Sequence, residues 1–149
     1  MTTLESPPLL ELWLSADPEA VPPVRRQAMR TCTDAGLAEE DCFTLDLALG
    51  EALANAVMHG APGDASGADG RHVCLSLWHF AGCLVIHICD RGAGFNPPPP
   101  PYRMPDAAWE TTHGRGLPLM ETLTDAMVVC PAEAEGGGTS VFLVKKVAR

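Results

Sequence analysis

Glu51 and Asn55 stand four residues apart in the run LGEALANAVMHG at 49–60. On a helix that spacing places them about 40° apart around the axis and about 6 Å along it, with His59 continuing the line. A carboxylate and a carboxamide so placed can divide labour: one accepts a proton, the other offers an oxygen to a hard cation. A solvated polar stripe explains the same pair when the helix is taken alone. Three further blocks carry comparable chemistry. Asp90 precedes Gly92 and Gly94 in DRGAGF, where a carboxylate at a strand end can accept from an exocyclic amine while glycines let backbone approach a planar ring. Gly114, Arg115, Gly116 and Leu117 precede a helical run, so free N–H groups and the arginine can meet phosphates. Thr139 follows the glycines of GGGTSVFLV and offers a hydroxyl at a strand start. Ordinary turns and strand propensity account for each of these three blocks in isolation.

The elements that must position these residues follow from pattern. LLELWL at 9–14 reads as a first strand, and a helix is expected over 24–35 with Gly36 as its stop. Its Arg25, Arg26 and Arg30 are expected on a solvated face. A longer helix is expected over 39–59, closed by Gly60, with Phe43, Leu47, Ala54 and Val57 at helical spacing. Gly50 inside it costs roughly 1 kcal/mol relative to alanine, which implies that something approaches closely there. The two residues Ala81 and Gly82 between strands 71–80 and 83–90 require an antiparallel hairpin. Alternation in the second of these strands puts Leu84, Ile86, Ile88 and Asp90 on one face. Residues 91–113, with five consecutive prolines at 97–101, suit neither helix nor central strand, and a lid is expected over about 95–113. A helix over 117–124, a strand at 126–130 and a final strand from Thr139 complete the chain.

Taken together and in order, Glu51-x-x-x-Asn55, Asp90-x-Gly92-x-Gly94, Gly114-x-Gly116-Leu117 and Gly138-Thr139 resemble the N, G1, G2 and terminal motifs of the GHKL ATPase/kinase superfamily. Within it the style of GEALANAVMHG and GRGLPLMETLTD is most similar to the anti-sigma factor serine/threonine kinases. The resemblance spans nearly the whole chain and implies one histidine-kinase-like ATPase domain over 1–149. Its fold is expected to be an α/β (α+β) two-layer sandwich: a mixed, mainly antiparallel sheet with helices on one face. It further implies Mg²⁺ and ATP, with Glu51 as general base and Asn55 as the Mg²⁺ ligand. Asp90 would read the adenine amine beside Gly92 and Gly94, supported by Thr139. Gly114, Arg115, Gly116 and Leu117 would face the phosphates. The implied activity is a protein serine/threonine kinase that phosphorylates or sequesters a sigma factor or a STAS-type anti-sigma antagonist, commonly as a homodimer. The prolines of the lid depart from the family pattern, which keeps an ATP-gated binding switch without phosphotransfer as the alternative. His59 lies in the nucleotide-site helix, so a complete sensor histidine kinase is not expected.

Composition agrees with that class. The 149 residues, 46% hydrophobic, suit one core, and a formal net charge of −9 argues against direct nucleic-acid binding. The first residues lack the basic and apolar runs of a signal peptide, and no stretch has the ~18 apolar residues of a membrane span, so a cytoplasmic location is expected. The six cysteines lack CxxC spacing and are expected as reduced, buried thiols rather than disulfides or a zinc site.

Overall fold

The computed structural model describes residues 6–59, 73–91, 116–131 and 138–147. Within them the chain forms β1 (Leu10–Leu14), α1 (Val21–Asp34), α2 (Glu39–His59), β2 (Val73–Phe80), β3 (Cys83–Asp90), α3 (Gly116–Leu123), β4 (Ala126–Pro131) and β5 (Thr139–Lys146). The strands make one five-stranded sheet in the order β1-β2-β3-β5-β4. All four pairings are antiparallel, so the expected mainly antiparallel sheet contains no parallel pair among the described residues. The expected lid over 95–113 and the closing Gly60 lie outside the described residues.

Strand alternation fixes the two sides of the sheet. β3 alternates half-buried and buried residues from end to end, and its buried set is Leu84, Ile86, Ile88 and Asp90. The register aligns these with Val73, Leu75 and Leu77 of β2 and with Val141 and Leu143 of β5. This inner face forms a single core with α1, α2 and α3. Burial of each leucine side chain there contributes ~2 kcal/mol. The two-residue turn at Ala81–Gly82 holds both residues at positive φ, 52° and 76°, as a tight hairpin matched to strand twist requires.

α2 is apolar around much of its circumference, and packing selects the stripe Leu45, Ala48, Leu49, Ala52, Leu53 and Ala56 for the core. Of the residues expected there, Val57 is buried, whereas Phe43 and Leu47 are exposed, 68% and 41%. The two stripes are equally periodic in sequence; the better-filled leucine stripe wins the sheet. α1 starts earlier than expected, because Pro22 and Pro23 fall in its first turn, where no intrahelical N–H bond is lost. Gly36 does end it: its N–H donates to the Thr33 carbonyl and that of Leu37 to the Cys32 carbonyl.

Arg25 is not simply solvated. Its Nε donates to Asp46 Oδ1 at 3.0 Å, and its guanidinium lies where a Cβ on Gly50 would be, 2.9 Å from Cζ. The close approach anticipated at Gly50 is therefore this side chain. Arg26 and Arg30 are exposed as expected. The cysteines depart from expectation: Cys32 alone is buried and the other five are half-buried, all as free thiols. Among the described residues no cluster of histidine, cysteine and carboxylate side chains is arranged to hold a metal. Among the same residues no helix is long and apolar enough to cross a membrane.

Candidate functional site

Two groups of the expected residues come together in the structure. The first is formed by α2 and the start of α3. Glu51 and Asn55 are half-buried next to the fully packed Ala52 and Ala56, so the core on one side of α2 fixes the direction of both side chains. The first residue of α3, Gly116, seats directly on them. A Cβ there would lie 2.9 Å from Asn55 Nδ2 and 3.7 Å from Glu51 Oε2. Any larger residue would displace the carboxamide. Leu117 packs against the core, and Pro118 is buried within the first turn, where α3 tolerates it.

The second group closes the sheet end of the inner face. Asp90, the last residue of β3, is 8% exposed, and its Oδ1 accepts from the backbone N–H of Thr139, the first residue of β5, at 3.1 Å. Thr139 is buried, as is Ser140 behind it. Gly138 permits this junction. It has φ +117°, and a Cβ on it would overlap the Asp90 carbonyl oxygen. No L side chain satisfies both constraints.

α2 contacts β3, β5 and α3, so both groups belong to the layer between helices and sheet. One group offers a carboxylate and a carboxamide beneath a helix N-terminus, whose exposed N–H groups favour anions. The other offers a buried carboxylate at a strand end. Gly92, Gly94, Gly114 and Arg115 lie outside the described residues, as does the side chain of His59.

Sequence reasoning missed a second polar cluster, on the outer face of the sheet. His87 stacks on Phe142 with ring centroids 4.2 Å apart and planes 3° from parallel. Its Nε2 also lies 3.0 Å from Ser140 Oγ, and burial lowers its pKa from the ordinary 6.5. Arg91 lies over the Trp13 ring at 5.4 Å. These contacts depend on strand register, which the β3–β5 connection does not reveal. An open depression of about 460 Å³ along α1 is lined by Pro22, Arg25, Arg26, Met29, Arg30 and Asp46, none of them an expected site residue.

Residues 14–145 match the family described as histidine kinase-like ATPase domain, and the chain belongs to that family. No curated protein matches the sequence. Among solved structures, the chain is similar to the crystal structure of the RsbU and RsbW domains of Rv1364c from Mycobacterium tuberculosis, with TM-score 0.65 and 21% identity. That match covers 97% of this chain and 33% of the other, so the chain spans a third of that protein. At this identity the likeness concerns the fold.

Proposed function

Starting from membership of the histidine kinase-like ATPase family, we propose that the chain acts as one domain that binds Mg-ATP and transfers its γ-phosphoryl group to a serine or threonine of a protein partner. The observation that carries the reading is the seat of Gly116 on Asn55 and Glu51. It puts a helix N-terminus, a carboxamide and a carboxylate at one point, as phosphate binding beside a metal demands. Asp90 suits the adenine end: it is a buried acceptor held in place by the Thr139 N–H, and Gly92 and Gly94 follow it in sequence.

The residues fit a hard cation. Asn55 directs Nδ2 toward Gly116, which leaves its oxygen for Mg²⁺, an ion that prefers oxygen donors and supplies charge neutralisation at the phosphates. Glu51 accepts the proton of the attacking hydroxyl, whose oxygen forms the new P–O bond as the bond from the γ-phosphorus to the bridging oxygen breaks and ADP leaves. The motif resemblance assigns Gly114, Arg115, Gly116 and Leu117 to the ATP site, the first three toward the phosphates. Positioning and electrostatics supply most of the acceleration in such transfers. The partner class, a sigma factor or a STAS-type anti-sigma antagonist, and the homodimer rest on the motif resemblance. The fold's similarity to a structure containing an RsbW domain is in keeping with the partner class.

Titration calorimetry with Mg-ATP tests the reading. Saturable binding by wild type, lost in Asp90→Asn and made insensitive to magnesium or abolished in Asn55→Ala, supports it. No binding by wild type overturns it. Radiolabel transfer to a serine-bearing STAS-type protein, absent in Glu51→Gln, identifies a kinase. Binding with no transfer in either form points to an ATP-gated switch.

A further inference from the structure

On the outer face of the sheet, opposite the site just described, the register aligns one row of side chains across all five strands. Trp13 faces Cys74, Cys74 faces Cys89, Cys89 faces Ser140, and Ser140 faces Cys130. Three of the six cysteines thus share a row, although they lie far apart in sequence. The geometry points to a thiol-oxidation site: we propose that Cys74 and Cys89 form a reversible cross-strand disulfide, independent of the nucleotide chemistry.

Distance selects the pair. Directly opposed residues of antiparallel strands have Cα atoms about 4.5 or 5.5 Å apart, inside the 4.4–6.8 Å that a disulfide spans. Cys130 is two strands from Cys89, about 9.6 Å at ordinary strand spacing, and is out of reach without backbone movement. Counting from the two-residue turn, Phe80–Cys83 is a hydrogen-bonded pair and the alternation makes Cys74–Cys89 another. Side chains splay slightly in such pairs, so the bond must draw the strands together, which makes it readily reducible. The pair sits one rung from the open end of the hairpin.

The surroundings suit slow, reversible chemistry. Both thiols are half-buried. Cys89 Sγ donates to the Asp90 carbonyl at 3.8 Å, and Cys74 Sγ lies 3.8 Å from Ser76 Oγ. Burial raises the Cys74 thiol, a rise opposed by the Ser76 contact and by Arg91 and reinforced by Glu11 and Cys89. Cys32, the fully buried cysteine, is pushed up to about 12, chiefly by burial, and stays an inert thiol. Hydrogen peroxide is the oxidant. One sulfur attacks its oxygen to give a sulfenic acid and one water; the second sulfur displaces the hydroxyl, forming S–S and releasing a second water.

Peptide mapping of the reduced full-length chain after treatment with hydrogen peroxide tests the assignment. Free thiols are alkylated, and chymotrypsin, which cuts after Trp78 and Phe80, separates the cysteines of the hairpin. The expected result is one linked peptide pair joining Cys74 to Cys89, two hydrogens lighter than the separate peptides and released by dithiothreitol. It persists in Cys130→Ser and vanishes in both Cys74→Ser and Cys89→Ser. Recovery of Cys74 and Cys89 as alkylated peptides, or a link from either to Cys130, overturns the proposal. The wild-type map decides the matter even where a serine variant fails to fold.

Discussion

Gly116 lies so close to the Asn55 carboxamide that a Cβ on it would sit 2.9 Å from Nδ2. The atom it meets is the far end of a side chain that can rotate away, so Gly116→Ala is expected to change stability by less than about 1 kcal/mol, the more so because alanine is the better helix former. In the proposed site the rotated carboxamide no longer presents its oxygen to Mg²⁺. Mg-ATP affinity is expected to fall about tenfold or more with little change in melting temperature. Unchanged affinity would show that the seat on Asn55 is structural only.

Gly138 should behave in the opposite way. Its positive φ and the Asp90 carbonyl both exclude a side chain, and the obstruction is backbone, which cannot rotate aside. Gly138→Ala is expected to cost roughly 3 kcal/mol or more in urea denaturation, or to prevent soluble expression. A loss below about 1 kcal/mol would contradict the junction described between β3 and β5.

Gly50 and Arg25 form a testable pair. Gly50→Ala gains roughly 1 kcal/mol of helix propensity but drives the guanidinium off its seat and strains its bond to Asp46. In wild type the two effects oppose, and a neutral or destabilising change is expected. In an Arg25→Ala background the same substitution should stabilise. A double-mutant cycle measures the difference, expected at about 1 kcal/mol. Additive effects would remove the contact from the account.

His87 ties stability to pH. Its pKa is lowered in the folded state by burial, so the unfolded chain binds the proton more readily. The contribution is complete above the ordinary value of 6.5, is lost as pH falls from there toward the folded value, and is constant below that. Melting temperature should therefore decline between pH 7.5 and 5.5 more steeply in wild type than in His87→Phe, which retains a ring against Phe142. Parallel declines would assign the acid sensitivity to other groups.

Much of this was legible from sequence because local rules agreed with the fold. α2 and β3 run over the expected residues, 39–59 and 83–90, since long periodic segments with tight turns leave few alternatives. Asp90 fell on the buried face because alternation admits no other phase once Leu84, Ile86 and Ile88 are inside. Spacing puts Glu51 and Asn55 on one stripe of α2, where both are half-buried, and their roles rest on the motif resemblance. What stayed hidden depends on contacts between distant segments. Phe43 and Leu47 match the helical period as well as Leu45 and Leu49 do, and only the sheet chooses between them. The stack of His87 on Phe142 and the row from Trp13 to Cys130 require the β3–β5 and β4–β5 registers, which long connections leave open. The role of Gly50 was anticipated without its partner, because nothing local links it to Arg25.

The bond from Thr139 to Asp90 also governs when the site comes into being. Its ends are 49 residues apart along the chain, and closing so large a loop costs ~3.5 kcal/mol of chain entropy before any contact repays it. The β2–β3 hairpin, by contrast, needs only two connecting residues and can form within microseconds. On that ordering the last strand docks onto a hairpin that already exists, and Asp90 lacks its bond from Thr139 until it does. A nucleotide has nothing complete to recognise in a partly folded chain, so it should slow unfolding and leave the folding rate unchanged.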